Sequence, residues 1–420
     1  MLQFDFPGLR IGVAEYEDGP TGATVFQFKE PVMAAVDVRG GAPATINTDL
    51  LRLAYDEPFV HAISFAGGSS YGLAAATGVA DAIKERTPNA GAWERIATVA
   101  GAIIFDLGDR RYTTVTPDYE LGRRALASAR EGVFPLGARG AGRFAMQGSY
   151  FGAPAHSGQG GAFAQAGPTR VLVFTVVNAR GTIVDREGHV VRCGIPGRDG
   201  CGSVAERLAK KRGTLSASAE EHAGSTSAGP TANTTITLVV TNQKLPFWAL
   251  QRLAVQVHNS MARAIQPFGT MNDGDSLFAV TTAEIENPKL SPVDLSVLAS
   301  ETAWDAVLAS VPVLPPAGPV EPVTLSAQTL DAFAGEYDLG SGARASVRRE
   351  GTGLRIVGGD RGSLYLPKGK TLDLRPVSAV EFLLDTPRAD RLRFERSSGG
   401  EVVGFVINPG PWPIAAKRVR

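Results

Sequence analysis

Cysteine is almost absent from the chain: Cys193 and Cys201 are the only two among 420 residues. Both lie in a Gly-rich loop, Cys193-Gly194-Ile195-Pro196 to Gly200-Cys201. One pair cannot supply the four ligands of a closed structural zinc site, so two ordinary free thiols are expected. Histidine is scarce as well, with His61, His156, His189, His222 and His258, none beside an obvious orienting carboxylate. Net charge is missing too, since 42 basic residues balance 42 acidic ones. Without a dense Lys/Arg run there is no long-range field to draw the protein to nucleic acid or anionic lipid. No run is apolar for the length of a bilayer, and Met1-Leu2-Gln3-Phe4-Asp5-Phe6-Pro7 lacks a basic segment leading into an apolar one. These absences predict a soluble, cytoplasmic protein without nucleic-acid or membrane partners, acting on a small uncharged or zwitterionic molecule. No metal or cofactor is expected.

Glycine, at 49 residues, is plentiful, which suits helices lying tightly against sheets and many tight turns. Short β-branched runs at Val32–Val38, Ile103–Leu107, Val171–Val177 and Ile236–Val240 read as buried strands. Helices are expected between several of them. One covers Leu73–Lys84, capped by Ser69-Ser70, and a second has Thr116 at its cap and Pro117 in its first turn. A third follows Pro246, with Leu250, Ala254, Val257 and Met261 on one face, and a fourth runs from Ser291-Pro292 to about Ser310. Strands alternating with helices predict a layered α/β (α+β) domain.

Two stretches interrupt this pattern. From about Arg212 to Asn233 the chain is polar and rich in Ser, Gly and Ala, and a mobile loop is expected directly before Thr234. Pro312 to Pro322 reads as a stiff spacer and a domain boundary. The expected organisation is a first domain over 1–311, a linker over 312–325 and a second domain over 326–420. Period-two patterns such as Arg391-Leu392-Arg393-Phe394-Glu395, with the Ser397-Ser398-Gly399-Gly400 turn, make the second domain a small antiparallel β-barrel. Gly335-Glu336-Tyr337 and Ala416-Lys417-Arg418-Val419 give it a resemblance to the lipocalin-like module behind β-lactamase-type hydrolases.

Two constellations are candidates for chemistry. Gly68-x-Ser70-x-Gly72 fits the sharp strand-to-helix turn of a serine hydrolase, which would also need a histidine and a carboxylate. The other is the step Asn233-Thr234, where the polar stretch meets the strand Thr234-Thr235-Ile236-Thr237. Attack of the Thr234 hydroxyl on the Asn233 carbonyl would turn the peptide into an ester that water hydrolyses. Thr234 would then carry a free α-amine titrating near ~7.7–8.0, so nucleophile and base would belong to one residue. The competing reading is an ordinary hydroxyl-rich strand entry.

Seven short motifs occur in order: Pro7-Gly8-Leu9-Arg10-Ile11-Gly12, Val36-Asp37-Val38-Arg39-Gly40-Gly41-Ala42-Pro43, Ala66-Gly67-Gly68-Ser69-Ser70-Tyr71-Gly72-Leu73, Ile104-Phe105-Asp106-Leu107, Val176-Val177-Asn178-Ala179, Asn233-Thr234-Thr235-Ile236 and Asp273-Gly274-Asp275. Through them residues 5–310 resemble the DmpA-type peptidases, which include β-peptidyl and D-stereospecific aminopeptidases and the endo-type nylon-oligomer hydrolase. The resemblance implies a four-layer αββα sandwich that cuts itself into a large chain, 1–233, and a small chain starting at Thr234. The two would stay associated and assemble into a homo-oligomer.

By the same resemblance Asn178 would offer its side-chain amide to the developing oxyanion, and Asp273 and Asp275 would hold the Thr234 ammonium or hydroxyl. Gly68, Ser69 and Ser70 are candidates for binding a small peptide or amide substrate. For Asn178 the competing reading is a turn residue, and for Asp273-Gly274-Asp275 a solvated turn or a cation-binding loop. The chain departs from its relatives in two places: Gly158–Pro168 lacks the lysine they carry, and Phe105 stands where some have tyrosine. Acyl transfer of the ornithine acetyltransferase kind, and a silent relative using its β-module as a binding platform, are the alternative functions.

Overall fold

The computed structural model describes residues 1–53, 57–108, 113–152, 154–194, 201–218, 233–312, 323–360, 365–366, 368–386, 390–408, 410 and 412–419. The first part of the chain builds one ten-stranded sheet. Its principal strands are β1 (Leu9–Tyr16), β2 (Thr21–Val38), β3 (Phe59–Ala66), β4 (Val99–Ile103), β5 (Gln159–Ala166), β6 (Thr169–Asn178), β7 (Thr234–Gln243) and β8 (Ser276–Ile285). They run in the order β5-β6-β7-β8-β2-β3-β4, with β1 on the other edge of β2. Only β7–β8 and β3–β4 are parallel among these pairs.

The sheet folds over on itself at β2. The exposed Lys29-Glu30-Pro31 interrupts that strand, and its register with β3 slips between Gln27 and Val32. A proline cannot donate to a ladder and is tolerated at such a bulge. The two halves then meet face to face, with Phe26 on Phe174 at 5.1 Å and Phe65 on Phe278 at 6.1 Å between ring centroids. Alternation does the sorting. Along β6, Leu172, Phe174 and Val176 enter the inter-sheet core, whereas Val171, Val173 and Val177 face the helices α4 (Phe247–Ser260) and α5 (Pro292–Ala309). Helices α1 (Ala74–Lys84) and α2 (Tyr119–Ala127) cover the opposite outer face. The result is the αββα arrangement expected from the motifs. Each fully buried Leu, Ile or Phe contributes roughly 1.5–3 kcal/mol to it.

Several local expectations are corrected. The strand expected at Ile103–Leu107 is Val99–Ile103, because Ile104 leaves the ladder to bond Ala66 and Ser69. Helix α2 is capped by Asp118, whose carboxylate accepts the Leu121 N–H at 2.8 Å, and not by Thr116. A 3₁₀ turn, Ser69–Leu73, precedes α1, and neither serine hydroxyl caps it. Helix α3 (Val204–Ser218) takes in the start of the stretch expected to be a loop. Ser203 and Glu206 form a reciprocal capping box there, and Ala, Leu, Lys and Arg propagate the helix. The rest of that loop, 219–232, lies outside the described residues, as does the spacer at 313–322.

Cys193 and Cys201 are not free thiols but a disulfide. The bridge between His189 and Ser203 and the Val190–Gly202 hydrogen bond bring the flanking segments together. This brings the two Cα atoms to 5.8 Å, within bridging range.

After α6 (Ala327–Phe333), strands Gly335–Gly340, Ala343–Glu350, Gly353–Gly358, Thr371–Pro376, Glu381–Leu384, Arg391–Arg396, Val402–Ile407 and Ile414–Arg418 close an antiparallel barrel. Its interior is filled by rings: Phe333 stacks on Phe394 at 4.3 Å, and Tyr337 lies 4.9 Å from Phe405. The buried Tyr337 hydroxyl donates to the Phe333 carbonyl, and burial pushes its pKa up to about 12. Among the described residues no helix is long and apolar enough to cross a membrane.

Candidate active site

Strands β6 and β7 are paired so that Asn178 lies directly opposite Thr234. Both residues share the face that carries Val176 and Ile236 into the inter-sheet core, and both are buried. The Thr234 hydroxyl donates to the carbonyl oxygen of Asn233 at 2.5 Å. The same oxygen accepts the backbone N–H of Gly274 at 2.8 Å. Two donors therefore converge on the carbonyl of the Asn233–Thr234 bond. Gly274 must be glycine for this approach: a Cβ there would stand 2.7 Å from Thr234 Oγ1 and 2.8 Å from the Ala42 carbonyl.

The segment Asp273-Gly274-Asp275 is held from two sides. Asn233 and Asp273 form a parallel bridge, while the Ala42 N–H bonds the Asp273 carbonyl and the Arg39 N–H bonds that of Asp275. Gly40 permits this contact, since its Cβ would fall 2.2 Å from the Asp273 oxygen. Thus the second and seventh motifs pack on each other. The two carboxylates take separate partners. Asp273 accepts the Arg180 N–H at 3.3 Å and the Thr270 hydroxyl at 2.6 Å. Asp275 accepts the Thr235 N–H at 2.5 Å and the Gly269 N–H at 3.0 Å. Neither carboxylate hydrogen-bonds the Thr234 hydroxyl, and it is the intervening Gly274 whose N–H meets the same Asn233 carbonyl as that hydroxyl. Burial, reinforced by the negative charge of Asp273, pushes the Asp275 carboxyl up to about 7 despite these N–H donors.

Asn178 accepts the Met146 N–H on Oδ1 at 3.1 Å and donates from Nδ2 to the Phe105 carbonyl at 3.1 Å. The turn after it, Ala179-Arg180-Gly181, leads to the short strand Thr182–Ile183. Next to Phe105, buried Asp106 accepts the Gly68 N–H at 2.8 Å and the Thr21 hydroxyl at 2.7 Å. Ser69, at φ 55°, donates its N–H to Ile104. The loop Gly68-Ser69-Ser70 is thereby joined through Ile104-Phe105-Asp106 to Asn178 and Thr234. In the lysine-free Gly158–Pro168 stretch, Gln159 is tied to Thr24 and to the Pro135 carbonyl.

Sequence reasoning missed three contributors: the Gly274 N–H, the anchoring role of Asp106, and a pair formed by buried His258 and half-buried Asp37. His258 Nδ1 lies 2.8 Å from Asp37 Oδ2, which also takes Arg39 Nε at 2.6 Å. Burial lowers the His258 pKa, so a neutral ring donates Nδ1–H to the carboxylate. For Asp37 burial works toward a raised pKa, but the bonds from His258 and Arg39 outweigh it and hold the group low. The partners are 221 residues apart, so no local spacing announces them. This pair ties α4, which carries His258, to β2, which carries Asp37, and does not complete a triad with exposed Ser70. Among the described residues no histidine hydrogen-bonds to Ser69 or Ser70.

Residues 4–317 match the profile of peptidase family S58. The 6-aminohexanoate-oligomer endohydrolase of Paenarthrobacter ureafaciens is 43% identical over 323 residues, 73% of this chain and 85% of that one. An uncharacterized aminopeptidase of Mycobacterium bovis is 34% identical over 294 residues, 68% of this chain and 82% of its own length. Among solved structures, a β-aminopeptidase of Burkholderia sp. superposes with a TM-score of 0.52 at 19% identity, covering 72% of this chain and 84% of that one, which speaks to the fold alone. The resemblance to DmpA-type peptidases is borne out. The chain belongs to peptidase family S58, and it is a hydrolase acting on amide bonds.

Proposed function

We propose that this hydrolase is made by its own cleavage between Asn233 and Thr234, and that the exposed Thr234 then opens short peptides or ω/β-amino-acid amides. The observation that carries the reading is the pair of donors, Thr234 Oγ1 and Gly274 N–H, on the Asn233 carbonyl oxygen. When the hydroxyl turns its oxygen to the carbonyl carbon, an Oγ1–C bond forms and the C–N bond breaks. The hydroxyl proton passes to the released nitrogen of Thr234, and water then hydrolyses the ester. Gly274 stays on the oxyanion throughout, the kind of preorganised donor worth roughly 3–4 kcal/mol.

In the second reaction a substrate carbonyl replaces that of Asn233. The neutral α-amine of Thr234 takes the hydroxyl proton, Asn178 donates to the oxyanion, and Asp273 and Asp275 hold the segment under the nucleophile. The loop Gly68-Ser69-Ser70 borders the substrate. Cleavage leaves β7 and β8 on the small chain, hydrogen-bonded to β6 and β2 of the large chain. The two chains therefore stay together as one interleaved sheet. The 43% identity to an ω-amino-acid oligomer hydrolase supports a substrate of that chemistry.

The test is a panel of 6-aminohexanoate oligomers, β-alanyl amides and α-aminoacyl amides, with wild type and Thr234→Ala side by side. Wild type is expected to release amine and acid from at least one class and the variant from none. Turnover that persists in the variant would redirect attention to Ser70. New amide formed with added ornithine, in preference to free acid, would assign acyl transfer.

A further inference from the structure

We propose that the C-terminal barrel is a positioning element of the active site, acting through His156. The inference rests on the reading of Thr234 and Asn178 given above. The barrel contributes two side chains, Trp412 and Tyr365, that grip one residue of the catalytic domain. Trp412 stacks on the His156 ring at 4.1 Å with planes 7° apart, and the Tyr365 hydroxyl shares a hydrogen bond with His156 Nε2. Phe144 meets the same imidazole edge-on at 4.9 Å, and Phe144 and Ala138 are buried in one apolar cluster with the barrel's own interior. The barrel end is thus completed by the catalytic domain and does not hang from a tether.

His156 leads to Asn178 by two short routes. It pairs across the strands with Met146, whose N–H donates to Asn178 Oδ1 at 3.1 Å. Its neighbour Ser157 is fully buried and donates its hydroxyl to the Val177 carbonyl at 2.5 Å, while Gly158 accepts the Val177 N–H. The same segment reaches further. Gly148 bonds Gly181 and Tyr150 bonds the Arg180 carbonyl, and the Arg180 N–H sits on Asp273. Residues 144–152 and 154–158 therefore bracket the Asn178–Gly181 corner, and the barrel holds them at the His156 end. The aromatic filling of the barrel leaves its interior no part in this, so its contact face carries the role. After cleavage His156 belongs to the large chain and Trp412 to the small one, which makes the stack a second clasp between them.

A misplacement of a catalytic group by about 1 Å can lower a rate ~100-fold, so a loosened bracket registers in kcat before it registers in binding. In the full-length protein, Trp412→Ala is expected to lower kcat at least ~10-fold, to leave KM within about twofold, and to slow appearance of the fragment starting at Thr234. Trp412→Phe keeps a stacking ring and restores most of the loss. Folding is checked by circular dichroism, with assays run well below each melting temperature. Should Trp412→Ala fail to fold, Tyr365→Phe, which removes one oxygen, decides: a several-fold lower kcat at constant KM supports the proposal, and wild-type kcat overturns it. A folded Trp412→Ala protein with wild-type kcat and processing overturns it as well, while leaving Thr234 in place. Absence of cleavage in wild type, with turnover surviving Thr234→Ala, overturns the underlying reading instead.

Discussion

Gly274 donates its backbone N–H to the carbonyl oxygen of Asn233 at 2.8 Å, so the glycine between two aspartates attends the bond that precedes Thr234. Gly274→Ala would place a methyl group 2.7 Å from Thr234 Oγ1 and press on the Ala42 carbonyl. We expect self-cleavage to slow by roughly 10²–10³-fold, the range found when one oxyanion donor is displaced. Time-resolved gels of the freshly purified variant measure this. Cleavage at the wild-type rate would mean that Gly274 is a spectator.

Asp275 links pH to both stability and rate. Its folded-state pKa of about 7 lies above the ordinary 3.8, so folding favours the protonated form. The stability it contributes is fully present below about pH 4 and is lost as pH rises through about 7. Turnover should move the other way, rising through the same interval as the carboxylate forms and grips the Thr235 N–H. Asp275→Asn should flatten both slopes. Melting temperatures and kcat from pH 4 to 8 check it, and an unchanged profile in the variant would contradict it.

The His258–Asp37–Arg39 cluster braces the same segment through the Arg39 N–H on Asp275. Asp37→Ala leaves a buried neutral imidazole N–H without its acceptor and is expected to cost about 1–3 kcal/mol, read from denaturant unfolding. Because burial depresses the His258 pKa, its contribution is complete above about pH 6.5 and falls away as pH drops below that. A loss under 1 kcal/mol, about what an exposed pair contributes, would show the cluster to be dispensable.

The disulfide closes a loop between residues eight apart in sequence. Loop-closure entropy puts its contribution at ~2.5 kcal/mol, so Cys193→Ser should lower the melting temperature by a few degrees under oxidising conditions. An equal melting point for wild type and variant would show that the bridge does not constrain the unfolded chain.

The layers and the placing of Thr234 were readable because they are written in short-range patterns. Period-two alternation in Val171–Val177 and Ile236–Val240 gives the strands and their two faces, and Pro292 after Ser291 starts α5. What depends on contacts between remote segments was not readable. Cys193 and Cys201 form a bridge because the His189–Ser203 and Val190–Gly202 contacts bring the flanking segments together, which composition does not reveal. Asp37 finds His258 only once β2 lies beside β8 and α4 packs over both. The part played by Gly274 was not readable, because a backbone N–H leaves no trace in the residue type. The fold of β9 to β16, the eight barrel strands in chain order, was legible from its hairpins, but its seat on His156 was not.

Intact-mass analysis of the purified protein under denaturing conditions tests the central claim most directly. Two species are predicted, one ending at Asn233 and one beginning with a free amine on Thr234, and Thr234→Ala should give a single uncut chain. A wild-type protein that remains one mass after prolonged incubation, or that is cut at another bond, would contradict the assignment of Thr234.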